Sequence, residues 1–289
     1  MSYTVFTDAA SNLPGKYLKG LDIRPLPCSY TMDGQEGVYE GDIDAFDAGA
    51  YYDKLRHGSR MKTSLLNSHL FESFFRAELE KGLDVIYVGM SSGISGTYQA
   101  ARMAAEELRH EFPDRTVHTV DSLGAGFGPG LLAIRAAQLR EEGKSAAEAG
   151  AILDAEVMHT LNFFTVDDLN FLKATGRVSG ATAAIGTVLN IKPLLWGDPT
   201  GHIVALKKCR GRKKAIDEIV ELFRTKAIQP EKQRVCISHG DCPEEAEVLA
   251  ARIREICEPM ELIICPHEPF TGAHVGPGML ALFFFGAHR

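Results

Sequence analysis

Spare positive charge is scarce in this sequence: 31 lysines and arginines face 38 aspartates and glutamates, for a formal net charge of -7. Such an acidic balance argues against a nucleic acid partner. Long apolar runs are missing too. The nearest approach, Met279 to Phe285, falls far short of the roughly 20 residues that a membrane-spanning helix requires. That leaves no transmembrane segment and only contact with a membrane surface open. The start Met1-Ser2-Tyr3-Thr4 shows no basic region followed by an apolar stretch, so no secretion signal is expected. The six cysteines, Cys28, Cys209, Cys236, Cys242, Cys257 and Cys265, include no C-x-x-C pair. Zinc knuckles and dithiol redox motifs are therefore not expected, no metal site is expected, and reduced thiols of a cytoplasmic protein are.

What is present is the makings of a large core. The chain has 289 residues, 45% hydrophobic and 24% charged, which suits two compact domains or one large one. Short apolar strands alternate with helical patterns. Tyr3 to Phe6, Asp84 to Val88 and Thr116 to Val120 read as strands, with helices at Thr97 to Glu111 and Gly130 to Glu142. This alternation predicts an α/β fold with a parallel sheet covered on both faces. Ligands on such sheets sit beyond the carboxyl ends of the strands, here the loops at Thr7, Ser91 to Gly96 and Asp121 to Gly128. Ile23 to Met32 reads as one strand. Asp44 to Arg56 and Ser68 to Lys81 read as helices, the second with Ser68 as its cap. Further on, Thr160 to Val166 is a strand, helices follow at Asp168 to Ala174 and Ala181 to Leu189, and Ile191 to Trp196 with His202 to Lys207 form a hairpin. Helices at Gly211 to Lys226 and Glu244 to Cys257 alternate with strands at Arg234 to Ser238 and Glu261 to Cys265, and Met279 to Phe285 closes the chain. A domain boundary is expected near residue 160, giving 1–160 as an N-terminal α/β domain and 161–289 as a C-terminal one.

Several clusters carry possible chemistry. Ser91-Ser92-Gly93-Ile94-Ser95-Gly96-Thr97 places three serine hydroxyls and backbone N–H groups at a helix start, which suits a carboxylate or phosphate; helix capping explains it equally. Met61-Lys62-Thr63-Ser64 adds hydroxyls ahead of another helix. Gly124 to Gly130 matches neither G-x-G-x-x-G nor a P-loop and reads as close packing of helix on strand. Gly272-Ala273-His274-Val275-Gly276 reads as a glycine-flanked loop. Six of the eight residues from Lys207 to Lys214 are basic, which suits an anionic partner or a solvated surface. Ser95, His274 and Asp121 raise the alternative of a Ser-His-Asp hydrolase, although Gly93-Ile94-Ser95-Gly96 places the second glycine one position early for G-x-S-x-G. His239 with Cys242 suggests a thiol nucleophile or, more simply, a strand-end loop.

Phe6-Thr7-Asp8, Thr63-Ser64, Ser91 to Gln99, Asp121-Ser122, Asp168-Leu169 to Gly176-Arg177-Val178, Ile185-Gly186 to Asn190-Ile191-Lys192-Pro193, Lys208 to Arg210 and His274 to Gly278 occur in order from residue 3 to 286. Taken together they resemble the DegV family of fatty acid-binding proteins. The resemblance implies a two-domain α/β protein with a long-chain fatty acid held between the domains and no other cofactor. It also implies a fatty acid kinase partner, to which the lipid is presented for phosphorylation to acyl-phosphate. Thr63 and Ser95 would bind the lipid carboxylate, with Ser64, Ser92, His274 and Arg177 as a supporting network, and Arg210 and Arg212 would help dock the kinase. The chain departs from the family pattern at Thr7-Asp8-Ala9, Thr63-Ser64-Leu65-Leu66 and Thr175-Gly176-Arg177. Phe71, Phe74, Phe75, Phe127, Phe163, Phe164 and Leu189 are candidates to line an apolar tunnel. A binding protein of this kind needs no nucleophile, so no enzyme activity of its own is expected. A lipid sensor that keeps its ligand fits the same residues.

Overall fold

The computed structural model describes residues 2–178 and 190–289. The helix expected over 181–189, the Ile185-Gly186 motif and Leu189 lie outside the described residues. In chain order the strands are β1 (Tyr3–Asp8), β2 (Ile23–Leu26), β3 (Cys28–Met32), β4 (Gln35–Tyr39), β5 (Met61–Thr63), β6 (Asp84–Gly89), β7 (Val117–Asp121), β8 (Thr160–Thr165), β9 (Ile191–Gly197), β10 (Ile203–Arg210), β11 (Arg234–His239), β12 (Glu261–Pro266) and β13 (Leu280–Phe285).

Three sheets result. The first is parallel, with order β2-β1-β6-β7. Every residue of β1 and β6 is buried, which is why these strands read as unbroken runs rather than alternating ones. The second has six strands in the order β10-β9-β8-β13-β11-β12, antiparallel except for the β11–β12 pair. The third, β4-β3-β5, is a small antiparallel sheet. It corrects the expectation of one strand from Ile23 to Met32: Pro27, which has no N–H for a ladder, separates β2 in the first sheet from β3 in the third.

One helix joins the two large sheets. Phe127–Glu141 packs against β1 and β6 on one side and β8 and β13 on the other. A single apolar core surrounds it, with Val5, Ile86 and Val88 from the first sheet and Phe164, Ala281 and Phe283 from the second. The chain crosses from one sheet to the other at β8, close to residue 160, and the core runs across that line.

Other helix boundaries shift for local reasons. Asn67, not Ser68, caps the helix Ser68–Leu79, its Oδ1 accepting the Leu70 N–H at 3.0 Å. The span from Asp44 begins as a 3-10 turn, and the helix proper is Ala48–Arg56, capped by Asp47. His274 lies not in a loop but near the end of a helix, Pro269–Val275, whose cap is Glu268.

Candidate functional site

Between the two large sheets lies a cavity lined mostly by apolar side chains, the kind of concave site that takes small molecules. Its floor is the carboxyl edge of the parallel sheet, through Asp8, Met90 and the loop residues Leu123 to Ala125. One wall is the inner face of the six-stranded sheet. The strand period of two decides which residues reach it: on β8, Asn162 and Phe164 line the cavity, while Leu161 and Phe163 join a separate core beneath the outer helices. The helix Pro269–Val275 supplies Phe270, Thr271, His274 and Val275, and the end of β5 supplies Thr63 with Ser64 and Leu65.

Several of the lining residues are polar. Thr63, Ser64, Ser95, Arg177 and His274 all face the cavity. Thr63 Oγ1 stands 3.4 Å from His274 Nε2. His274 Nδ1 is buried and has no hydrogen-bond partner among the described residues. Burial, and then the charge of Arg177, pull the imidazole pKa down to about 4, so this histidine is neutral near pH 7 and the positive field comes from Arg177. The guanidinium of Arg177 donates to the Thr175 carbonyl. Ser95 Oγ donates to Thr97 Oγ1 at 3.0 Å and accepts the Thr97 N–H at 3.3 Å. Ser95 therefore sits just before the N-terminus of the helix Thr97–Glu111, where backbone N–H groups favour an anion.

Other expected site residues are placed elsewhere. Ser92 is exposed and off the cavity lining, its N–H donating to Asp121 Oδ1 at 3.1 Å. The neighbouring Ser91 takes the buried role, its hydroxyl donating to the Gly201 carbonyl at 2.8 Å and accepting the Gly93 N–H. Arg210 is exposed at the end of β10. Arg212 has only 14% of its side chain exposed and pairs with Glu245 at 2.7 Å and Asp167 at 3.9 Å. Of the phenylalanines expected in the tunnel, Phe164 lines the cavity; Phe71, Phe74, Phe75, Phe127 and Phe163 fill or pack on the cores instead.

The hydrolase constellation is not assembled. Ser95 is bonded to Thr97, His274 lies against Thr63, and the Asp121 carboxylate accepts the N–H groups of Ser92 and Leu123. Nor is there a thiolate at Cys242, whose pKa burial pushes up to about 12. Its nearest role is structural, donating to the Met279 carbonyl at 3.3 Å. Among the described residues no cluster of three or more His, Cys, Asp or Glu is set to hold a metal, and no helix is long and apolar enough to cross a membrane.

The sequence did not point to a second, fully buried polar group along the cavity. Asp8 accepts from the Tyr87 hydroxyl and, at 2.6 Å, from the Met90 N–H, and burial pushes its pKa up to about 6. His267 bridges Ser238 Oγ at 2.9 Å and Thr271 Oγ1 at 2.7 Å, and burial holds it near 3. Glu268, raised by burial to about 7, caps the following helix through the Phe270 and Thr271 N–H groups and bonds back to Asn12 through its own N–H. The signal was there in Glu268-Pro269, an acidic cap followed by proline at the first helical position.

The relatives of this chain share this architecture. A DegV family model matches residues 2–287. A DegV domain-containing protein of Clostridium perfringens is 37% identical over 285 residues, 98% of this chain and 97% of that one. Another, from Streptococcus pyogenes, is 34% identical over 291 residues, 99% of each. Among solved structures, a DegV family protein of Thermus thermophilus described by its fatty acid binding superposes with a TM-score of 0.87 at 31% identity, covering 99% of this chain and 100% of that one. A Thermotoga maritima DegV lipid-binding protein gives 0.85 at 27% identity, with both chains covered in full (100%). The chain belongs to the DegV family.

Proposed function

We propose that the cavity holds one long-chain fatty acid, its carboxylate on Thr63 and Ser95 beside His274 and its tail along the wall formed by Phe164 and Phe283. The observation that carries this reading is the pairing of an apolar-lined cavity with the hydroxyls of Thr63, Ser64 and Ser95, a neutral imidazole and one arginine. Hydroxyls and N–H groups can hold a carboxylate while leaving one oxygen accessible. The tail supplies most of the affinity: at about 0.8 kcal/mol per buried CH₂, a 16-carbon chain offers on the order of 10 kcal/mol before association and ordering costs. Relatives described by fatty acid or lipid binding support the ligand class.

The accessible carboxylate suits delivery to a cytoplasmic fatty acid kinase for conversion to acyl-phosphate. Arg210, exposed with Lys208 at the end of β10, is the docking residue of this reading, and Arg212, fixed by Glu245 and Asp167, shapes the base of that surface. Residues 1–160 and 161–289 then act as two domains that hold the lipid between them. The protein needs no catalytic group of its own.

Two variants test the parts separately. Thr63→Ala with Ser95→Ala is expected to lose bound fatty acid on purification; full lipid occupancy in the double variant would contradict the carboxylate assignment. Arg210→Glu is expected to keep the lipid but slow acyl-phosphate formation by a supplied kinase, and an unchanged rate would reject the docking surface.

A further inference from the structure

Where β8, β9 and β13 of the six-stranded sheet line the cavity, their wall has one polar interruption among the described residues. Across β8, β9 and β13 the residues that line the cavity are Asn162, Phe164, Gly197, Ala281 and Phe283, and among these only Asn162 carries a polar side chain. Its Oδ1 is buried without a hydrogen-bond partner, and no other described residue bonds the amide. Asn162 as a whole is half-buried, but a buried amide oxygen is satisfied in the great majority of native sites, and leaving one unpaired is costly. A leucine here would continue the wall.

The surroundings keep room for the amide. Gly197 lies beside it on β9, and a Cβ there would stand 3.1 Å from Asn162 Oδ1 and 3.2 Å from the Leu123 carbonyl oxygen. The register sets Asn162 opposite Phe283. That pair is four residues along the strand from Met279, just past the loop that follows His274, an extended span of about 13 Å. With Phe283 as its neighbour, the amide lies on the wall along which the acyl chain is proposed to run.

We propose that Asn162 reads an oxygen substituent on the acyl chain, so that the preferred ligand is a hydroxy or oxo fatty acid rather than a plain one. This inference rests on the fatty acid reading above and narrows its substrate class. A hydroxyl can give its proton to the amide oxygen, and either a hydroxyl or an oxo group can accept from the amide N–H. A plain chain satisfies neither.

The test compares stearic acid with a series of hydroxystearic acids whose hydroxyl is stepped along the chain, by titration calorimetry on delipidated protein. Wild type is expected to bind one positional isomer about tenfold more tightly than stearic acid, the worth of one net hydrogen bond. Asn162→Leu, close in volume, is expected to lose that preference while binding stearic acid at least as tightly. Asn162→Ala serves as a second variant should the leucine disturb folding, which circular dichroism reports. Tight stearic acid binding with no isomer preferred by wild type would overturn the inference and leave the fatty acid reading intact. Equal weakening of stearic acid and every isomer in both variants would overturn it too, assigning Asn162 to the carboxylate or to the fold. Failure of wild type to bind any of these acids would remove the fatty acid reading itself.

Discussion

At the scale of single residues, burial decides protonation. Asp8 and Glu268 are raised by desolvation from 3.8 and 4.5 to about 6 and 7. His267 and His274 are lowered by desolvation from 6.5 to about 3 and 4. These shifts act on stability with opposite signs. Through the window up to pH 6 or 7 the folded carboxyls hold protons that the unfolded chain has released, so their contribution falls as pH rises. Below pH 6.5 the unfolded histidines take up protons that the folded ones refuse, so their contribution falls as pH drops. Between about pH 4.5 and 6.5 the two pairs oppose each other, and wild-type stability is expected to vary little. Asp8→Asn removes one carboxyl and leaves the histidine slope exposed. Its melting temperature is expected to fall more steeply than wild type on acidification across that window, and parallel curves for the two proteins would refute this balance. None of this was legible in the sequence beyond the residue types. Thr63, Ser95, Arg177 and His274 were, because they lie in short motifs whose order is distinctive. Asn162 was not, because a lone asparagine in a strand gives no hint of which face it occupies until register is known.

At the scale of elements, most strands and helices were legible as type and place, and two of the errors share a cause. Glycine and proline were read as loop where packing makes them helix. The helix expected from Gly130 begins at Phe127 and takes in Gly128 and Pro129 as well. Proline is tolerated in a first turn because its missing N–H would have no intrahelical partner there. Gly130 is explained by approach rather than by conformation: a Cβ at that position would meet the Ser11 carbonyl oxygen at 2.5 Å. This sets two magnitudes against each other. Alanine in place of glycine gains about 1 kcal/mol of helix propensity, while forcing apart a packed helix and backbone typically costs about 1–3 kcal/mol. The clash involves backbone on both sides and is expected to win, so Gly130→Ala should be destabilised in urea denaturation. A stabilised variant would show that the helix can shift away from the Ser11 backbone without loss. The small sheet β4-β3-β5 was missed because its strands are short and polar on one face, so no apolar run announces β4 or β5.

At the scale of the whole molecule, the parallel sheet was legible from its alternating elements, whereas the order of the six-stranded sheet was not, since long-range antiparallel pairings such as Phe283 with Asn162 leave no mark in local pattern. The division near residue 160 was visible as a change of element order. The shared core around Phe127, Leu131, Phe164 and Phe283 was not, and it has a consequence for ligand binding: the cavity lies between halves that cannot separate without exposing apolar surface. A ligand bound there stabilises the folded state by mass action. The ligand proposed for this cavity is a fatty acid. Mass spectrometry of lipid extracted from natively purified protein tests it most directly. About one fatty acid per chain is the predicted result. Protein that carries no lipid, and still takes up none after incubation with mixed plain and hydroxylated fatty acids, would contradict it.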